Sequence, residues 1–175
     1  MASHPPQKTL TAADLPQPGK TVPHRLYGWP ITEEYMLDYA RRHRLVFEVM
    51  PHDRALLGET SHFNYGDITD EHLAHEEFYL SLRRFATMDV ISHFIRQVGV
   101  SGLRMERPVS LEWRWMLVVW STRDYEEKYE SYKMWGNWSK VEKFIDDALN
   151  ECIPEGCERR TSLEWWWSCE NKLVS

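Results

Sequence analysis

The sequence predicts an α+β fold: a four-stranded, mainly antiparallel sheet with helices on one face, in a ferredoxin-like βαββαβ order with a helical insert after the first helix. Three observations predict it. Two near-identical hexapeptides, Ser110-Leu111-Glu112-Trp113-Arg114-Trp115 and Ser162-Leu163-Glu164-Trp165-Trp166-Trp167, stand 52 residues apart and hold five of the nine tryptophans. Both alternate apolar and polar residues, which is strand periodicity. Between and before them lie segments with helical spacing, opened by Thr32, Thr69 and Ser139 as N-cap residues. At 175 residues and 42% hydrophobic content, the chain suits one sizeable core.

Each element follows from its own residues. Residues 1–22 mix Pro5, Pro6, Pro16, Pro18 and Gly19 with polar residues and lack periodicity, so they read as a disordered arm ahead of a single domain over 23–175. His24 to Trp29 is a short strand halted by Pro30. Thr32 caps a first helix over about 33–43, with Glu33 and Glu34 at its positive end and Tyr35, Met36, Tyr39 and Ala40 as the apolar stripe. Leu45 to Met50 has strand or helix character, but turn residues punctuate 51–66, and the stretch reads as mostly loop. Thr69 caps a second helix reaching about Ala86, with a break at Thr87 or Met88. Val90, Ile91, Phe94, Ile95 and Val98 then make a buried face that Gly99 ends.

From Val100 the period changes to two. Leu103 to Val109 and Leu111 to Ser121 read as strands turned near Arg107-Pro108. Tyr125 to Tyr132 adds a helical turn, and Ser139-Lys140-Val141-Glu142 is a capping box opening a helix with Val141, Phe144, Ile145, Ala148 and Leu149 on one face. Leu163 to Cys169 supplies the last strand. Leu26-Tyr27-Gly28-Trp29-Pro30 leading into Thr32 to Arg42, with the late strand and acidic amphipathic helix, resembles a group of small fungal α+β proteins over about half of the chain. That resemblance implies a fold and no activity.

Composition narrows the function classes. With 21 basic and 27 acidic side chains, a net of −6, and no block of like charge, a nucleic-acid or anionic-membrane surface is not expected as partner. No apolar run is long enough to span a bilayer, and no secretory h-region opens the chain, so a cytosolic protein is expected. Cys152, Cys157 and Cys169 are an odd set without C-x-x-C spacing, and they read as free thiols. There is no G-x-S-x-G elbow, P-loop or dinucleotide fingerprint, and no cofactor is expected.

Two sets of residues remain as candidate sites. His72, His75 and Glu76 share a helical face at i, i+3, i+4 and could give a transition metal two imidazoles and a carboxylate, with His52, Asp53 and His62 as a second cluster in the loop. The competing reading is a charged, solvated first turn, since the H-E-x-x-H pattern is not met. On the strands, alternation puts Leu111, Trp113, Trp115, Leu117 and Val119 under the helices and leaves Arg114 and Trp120 on the other face, with Trp166 outward from the last strand. That face is expected to meet a protein partner or a second copy of the chain. Its competitor is a sheet surface merely covered by the protein itself, and Trp135 and Trp138 read as loop anchors. A non-catalytic interaction module is therefore the leading expectation. A small-molecule enzyme, metal-assisted at His72/His75/Glu76 or acid–base, and a sugar- or base-stacking protein are the alternatives.

Overall fold

The computed structural model describes residues 24–99, 102–108, 114–123, 138–151 and 163–168. The expected N-terminal arm, the helical turn at Tyr125 to Tyr132, the three cysteines, Trp113 and Trp135 lie outside the described residues, as do the side chains of Trp165 and Trp167. The class is α+β, with helices and antiparallel strand pairs. The chain divides into two compact units, one holding the described residues up to Ile31 and from Val98 onward, the other Thr32–Gln97.

In the first unit, β1 (Arg25–Ile31) pairs antiparallel with β5 (Trp115–Ser121) on one side and β6 (Glu164–Trp167) on the other. β4 (Arg104–Glu106) pairs antiparallel with β5. Pro30 does not halt β1, contrary to expectation: the strand runs through it to Ile31. The pairing with β6 ends at Gly28, so Pro30 sits at an edge position on that side, where a missing N–H is tolerated.

One irregularity rearranges the tryptophans. Gly28 lies opposite Val118 and Pro30 opposite Met116, but Tyr27 lies opposite Trp120, so Val119 is an extra residue and the strands bulge there. A bulge breaks alternation, and Trp120 moves to the face of Tyr27 and Trp29, away from Met116 and Val118. Its ring stacks on Tyr27 at 4.8 Å and 16°. Gly28 makes the close approach possible, because a Cβ there would stand 1.9 Å from the carbonyl oxygen of Leu117.

The opposite face is equally apolar: Leu26, Met116, Val118 and Trp166 form one buried cluster. Helix α4 (Trp138–Asn150) buries Val141, Ile145, Ala148 and Leu149 at i, i+4, i+7, i+8, the expected stripe. It starts one residue ahead of Ser139, which therefore lies inside the helix and not at its cap. The contacts that dock it include the Trp138 ring against Trp120 at 5.1 Å and the buried Trp29 indole N–H, which donates to Asp146 Oδ1 at 3.2 Å.

In the second unit, α1 (Glu33–Arg42) begins as expected, the Thr32 hydroxyl accepting from the Tyr35 N–H at 3.1 Å. Met36, Leu37, Tyr39 and Ala40 are buried, and so is Glu33, whose carboxylate lies 3.6 Å from the Arg83 guanidinium. The expected loop contains two short strands, β2 (Val46–Glu48) and β3 (His62–Asn64), paired antiparallel with Phe47 opposite Phe63. Three residues each, among turn residues, were too few for periodicity to mark.

The second helix also differs. It divides at Ala74-His75 into α2 (Asp70–Leu73) and α3 (Glu76–Val98), and it continues unbroken through Thr87 and Met88. The Thr87 hydroxyl donates to the Arg83 carbonyl one turn back at 2.8 Å, which lets a buried threonine sit within a helix. Phe78, Leu82, Ala86, Val90, Ile91 and Phe94 are buried along α3, and Gly99, at φ +69, follows its end as expected. No helix among the described residues is long and apolar enough to cross a membrane.

Candidate functional site

Neither site expected from the sequence is assembled. The break at Ala74-His75 removes the shared helical face of His72, His75 and Glu76. His72 is used locally instead: its Nδ1 accepts from the Thr69 N–H at 3.1 Å, closing a capping box, and its ring meets the edge of Phe63. His75 and Glu76 are exposed. His52 lies 3.4 Å from Asp53, while the His62 ring contacts Ser61. Among the described residues no group of three or more His, Cys, Asp and Glu could hold a metal ion.

The expected aromatic face is not on the surface either. Trp120 is 4% exposed and Trp166 is 7% exposed, and both pack within the protein for the reasons given above. Arg114 is exposed, its guanidinium 5.8 Å from the Trp115 ring centroid. Among the described residues the large exposed apolar side chains are Val46, Met50, Leu80, Phe85 and Met88, all in Thr32–Gln97. Leu80, Arg84 and Met88 follow one another at i, i+4, i+8 along α3, and Phe85 is a surface neighbour of Met88 at i, i+3. Val46 and Met88 are each 57% exposed, so this is not a partly covered core.

The same unit gathers titratable groups that the sequence reading missed. The C-cap of α1 is His43, after which Arg44 takes a left-handed conformation at φ 50 and reverses the chain. The one-turn helix Tyr65–Asp67 then docks on the end of α1: the Tyr65 N–H donates to the Leu45 carbonyl, Arg41 reaches the Ile68 carbonyl, and Arg44 pairs with Asp67 at 2.6 Å. This fixes the buried Tyr65, whose hydroxyl donates to Asp89 Oδ2 of α3 at 2.8 Å.

Asp89, His93 and Arg96 stand at i, i+4, i+7 on α3, one stripe of the helix. Burial holds the Asp89 carboxyl above the usual carboxylate range, against the lowering effect of Tyr65 and Arg96. Burial and the Asp89 charge push the Tyr65 phenol well above its ordinary value, so it remains a donor. His93 is held below the usual imidazole value, first by burial and then by His43 and Arg96. Tyr39 joins the two histidines: it stacks on His43 at 4.0 Å, lies 6.1 Å from His93, and meets Phe94 edge-on at 5.2 Å. The i, i+4, i+7 spacing was visible in the sequence. What it lacked was its partners, since Tyr65, Tyr39 and His43 reach it only through the fold.

Compared with protein-family models, curated proteins and solved structures, the chain matches none.

Proposed function

We propose that this chain is a non-catalytic interaction module that associates with a second copy of itself through the apolar side chains of Thr32–Gln97, with Leu80, Phe85 and Met88 of α3 at the centre. One observation carries the reading: among the described residues the large exposed apolar side chains all lie in that unit, and three of them, Leu80, Phe85 and Met88, lie on a single helix, with Phe85 and Met88 adjacent at i, i+3. Apolar side chains grouped in this way mark association surfaces, and a surface meeting its own copy is the commonest form of assembly. The role expected of Trp120 and Trp166 passes to these residues, because the two tryptophans are buried. A net charge of −6 argues against a nucleic-acid partner.

The fold reading that accompanies this proposal is ferredoxin-like. Its support is the hydrogen-bonded order β4-β5-β1-β6 with antiparallel neighbours throughout, the order that a βαββαβ unit produces.

Sedimentation velocity across a range of protein concentrations tests the proposal. The parent should shift from monomer to dimer as concentration rises, and Phe85→Ser with Met88→Glu should weaken the dimer by about tenfold or more, since burying an unpaired charge at an interface centre is costly. Both positions are exposed, so the variant should unfold with the parent. A parent that stays monomeric at every concentration, or a variant that dimerises as well as the parent, would remove the idea.

A further inference from the structure

We infer that the His43–His93 pair is a proton-sensitive joint between α1 and α3, closed at neutral pH and loosened as the pH falls below it. The inference does not depend on self-association. Its basis is the arrangement of two imidazoles around one ring. His43 closes the C-terminus of α1 and lies flat on Tyr39, interplanar angle 18°. His93 of α3 approaches the same Tyr39 from its other neighbour helix, with its centroid 6.2 Å from that of His43 and 6.3 Å from that of Phe94.

The groups around His93 do not welcome a proton. From α1 it faces His43, and the Arg42 guanidinium stands 5.9 Å from the Tyr39 ring centroid. On α3 itself, Arg96 follows one turn later and Asp89 precedes by one turn. Asp89 accepts the hydroxyl of Tyr65 and is itself drawn toward its neutral form by burial. Protonating both histidines would therefore set two imidazolium rings about one tyrosine with Arg96 alongside. Like charges at this spacing repel, and the partly buried site screens them less than water does.

The direction of the pH effect follows from linkage. In the folded protein His93 binds its proton less readily than an ordinary imidazole of 6.5, so below neutrality the unfolded state takes up more protons. The stability that neutral His93 contributes is present above about pH 6.5 and is lost as the pH falls through the lower folded value. Asp89 acts in the opposite sense: its raised value means that acid relieves the cost of its buried charge, at the acid side where the carboxyl protonates. Comparing variants at His93 with the parent cancels the Asp89 contribution.

The test is a nuclear magnetic resonance titration of the imidazole protons, with denaturant unfolding at pH 7.5 and 5.5, on the full chain. In the parent, His93 should titrate below pH 6.5, the unfolding midpoint should fall on acidification, and the protection of α1 amides, taken relative to their intrinsic exchange rate at each pH, should be lower at pH 5.5 than at pH 7.5 in native conditions. His93→Gln should lose most of the acid-induced fall. Should that variant not fold, His43→Gln, at an exposed position, removes one opposing charge. It should raise the titration point of His93 and shrink the fall in midpoint. A His93 that titrates at or above pH 6.5, or variants that reproduce the parent's acid response in full, would overturn the inference.

Discussion

Gly28→Ala is expected to lower the stability of the protein by about 3 kcal/mol or more, since overpacking a filled site costs about 1–3 kcal/mol even where side chains can yield. Here the neighbours are backbone. The added Cβ would lie 1.9 Å from the Leu117 carbonyl oxygen and 2.8 Å from both its carbon and the Val118 Cα. Relief requires β1 and β5 to part at the bulge, which also places Trp120. The loss is therefore steric, and it is distinct from the conformational role of a glycine such as Gly58, at φ +81 with open space around it. Urea unfolding of Gly28→Ala beside Gly58→Ala checks this. The first should have much the lower midpoint, and a first variant as stable as the second would show that the strands do not approach as described.

Trp29→Ala should cost about 3–5 kcal/mol, the usual range for deleting a fully buried indole. The ring is inaccessible to solvent, and its N–H holds Asp146 of α4 at 3.2 Å. Removing it opens a cavity and takes away a donor from the partly buried carboxylate, so both packing and polar terms act in one direction. Trp29→Phe separates them, keeping most of the ring while losing the donor, and should cost less than Trp29→Ala. Equal midpoints for parent and Trp29→Ala would show that α4 is held by other contacts.

How much of this was legible in the sequence depends on the range of the interaction that decides each feature. Thr32 and Thr69 as caps, the start of α1, the apolar stripe of α4 and the stop at Gly99 are local, and each followed from a few neighbouring residues. The position of Trp120 is not local. Strict alternation put it with Val118, but the extra residue opposite Tyr27-Gly28 reverses its side, and a bulge is set by the partner strand. Trp166 faces Leu26, Met116 and Val118, so a position assigned to the surface is core because β5 is buried on both faces. His72 carried a metal-like spacing, yet it serves the turn it sits in. The meeting of His43 and His93 is not local either, because nothing in a single segment joins the end of α1 to the last turns of α3.

Methionine oxidation offers the most direct test of where the protein meets its partner. Met50 and Met88 are exposed, whereas Met36 and Met116 are fully buried, so native side chains report on surface and core together. The full chain is treated briefly with dilute peroxide at low and high protein concentration, and sulfoxide is read peptide by peptide. We expect Met88 to react fast when dilute and to be protected when concentrated, with Met36 and Met116 slow in both. A Met88 that reacts equally fast at the two concentrations would contradict association through α3, and a Met116 as reactive as Met88 would contradict the buried sheet on which that surface was chosen.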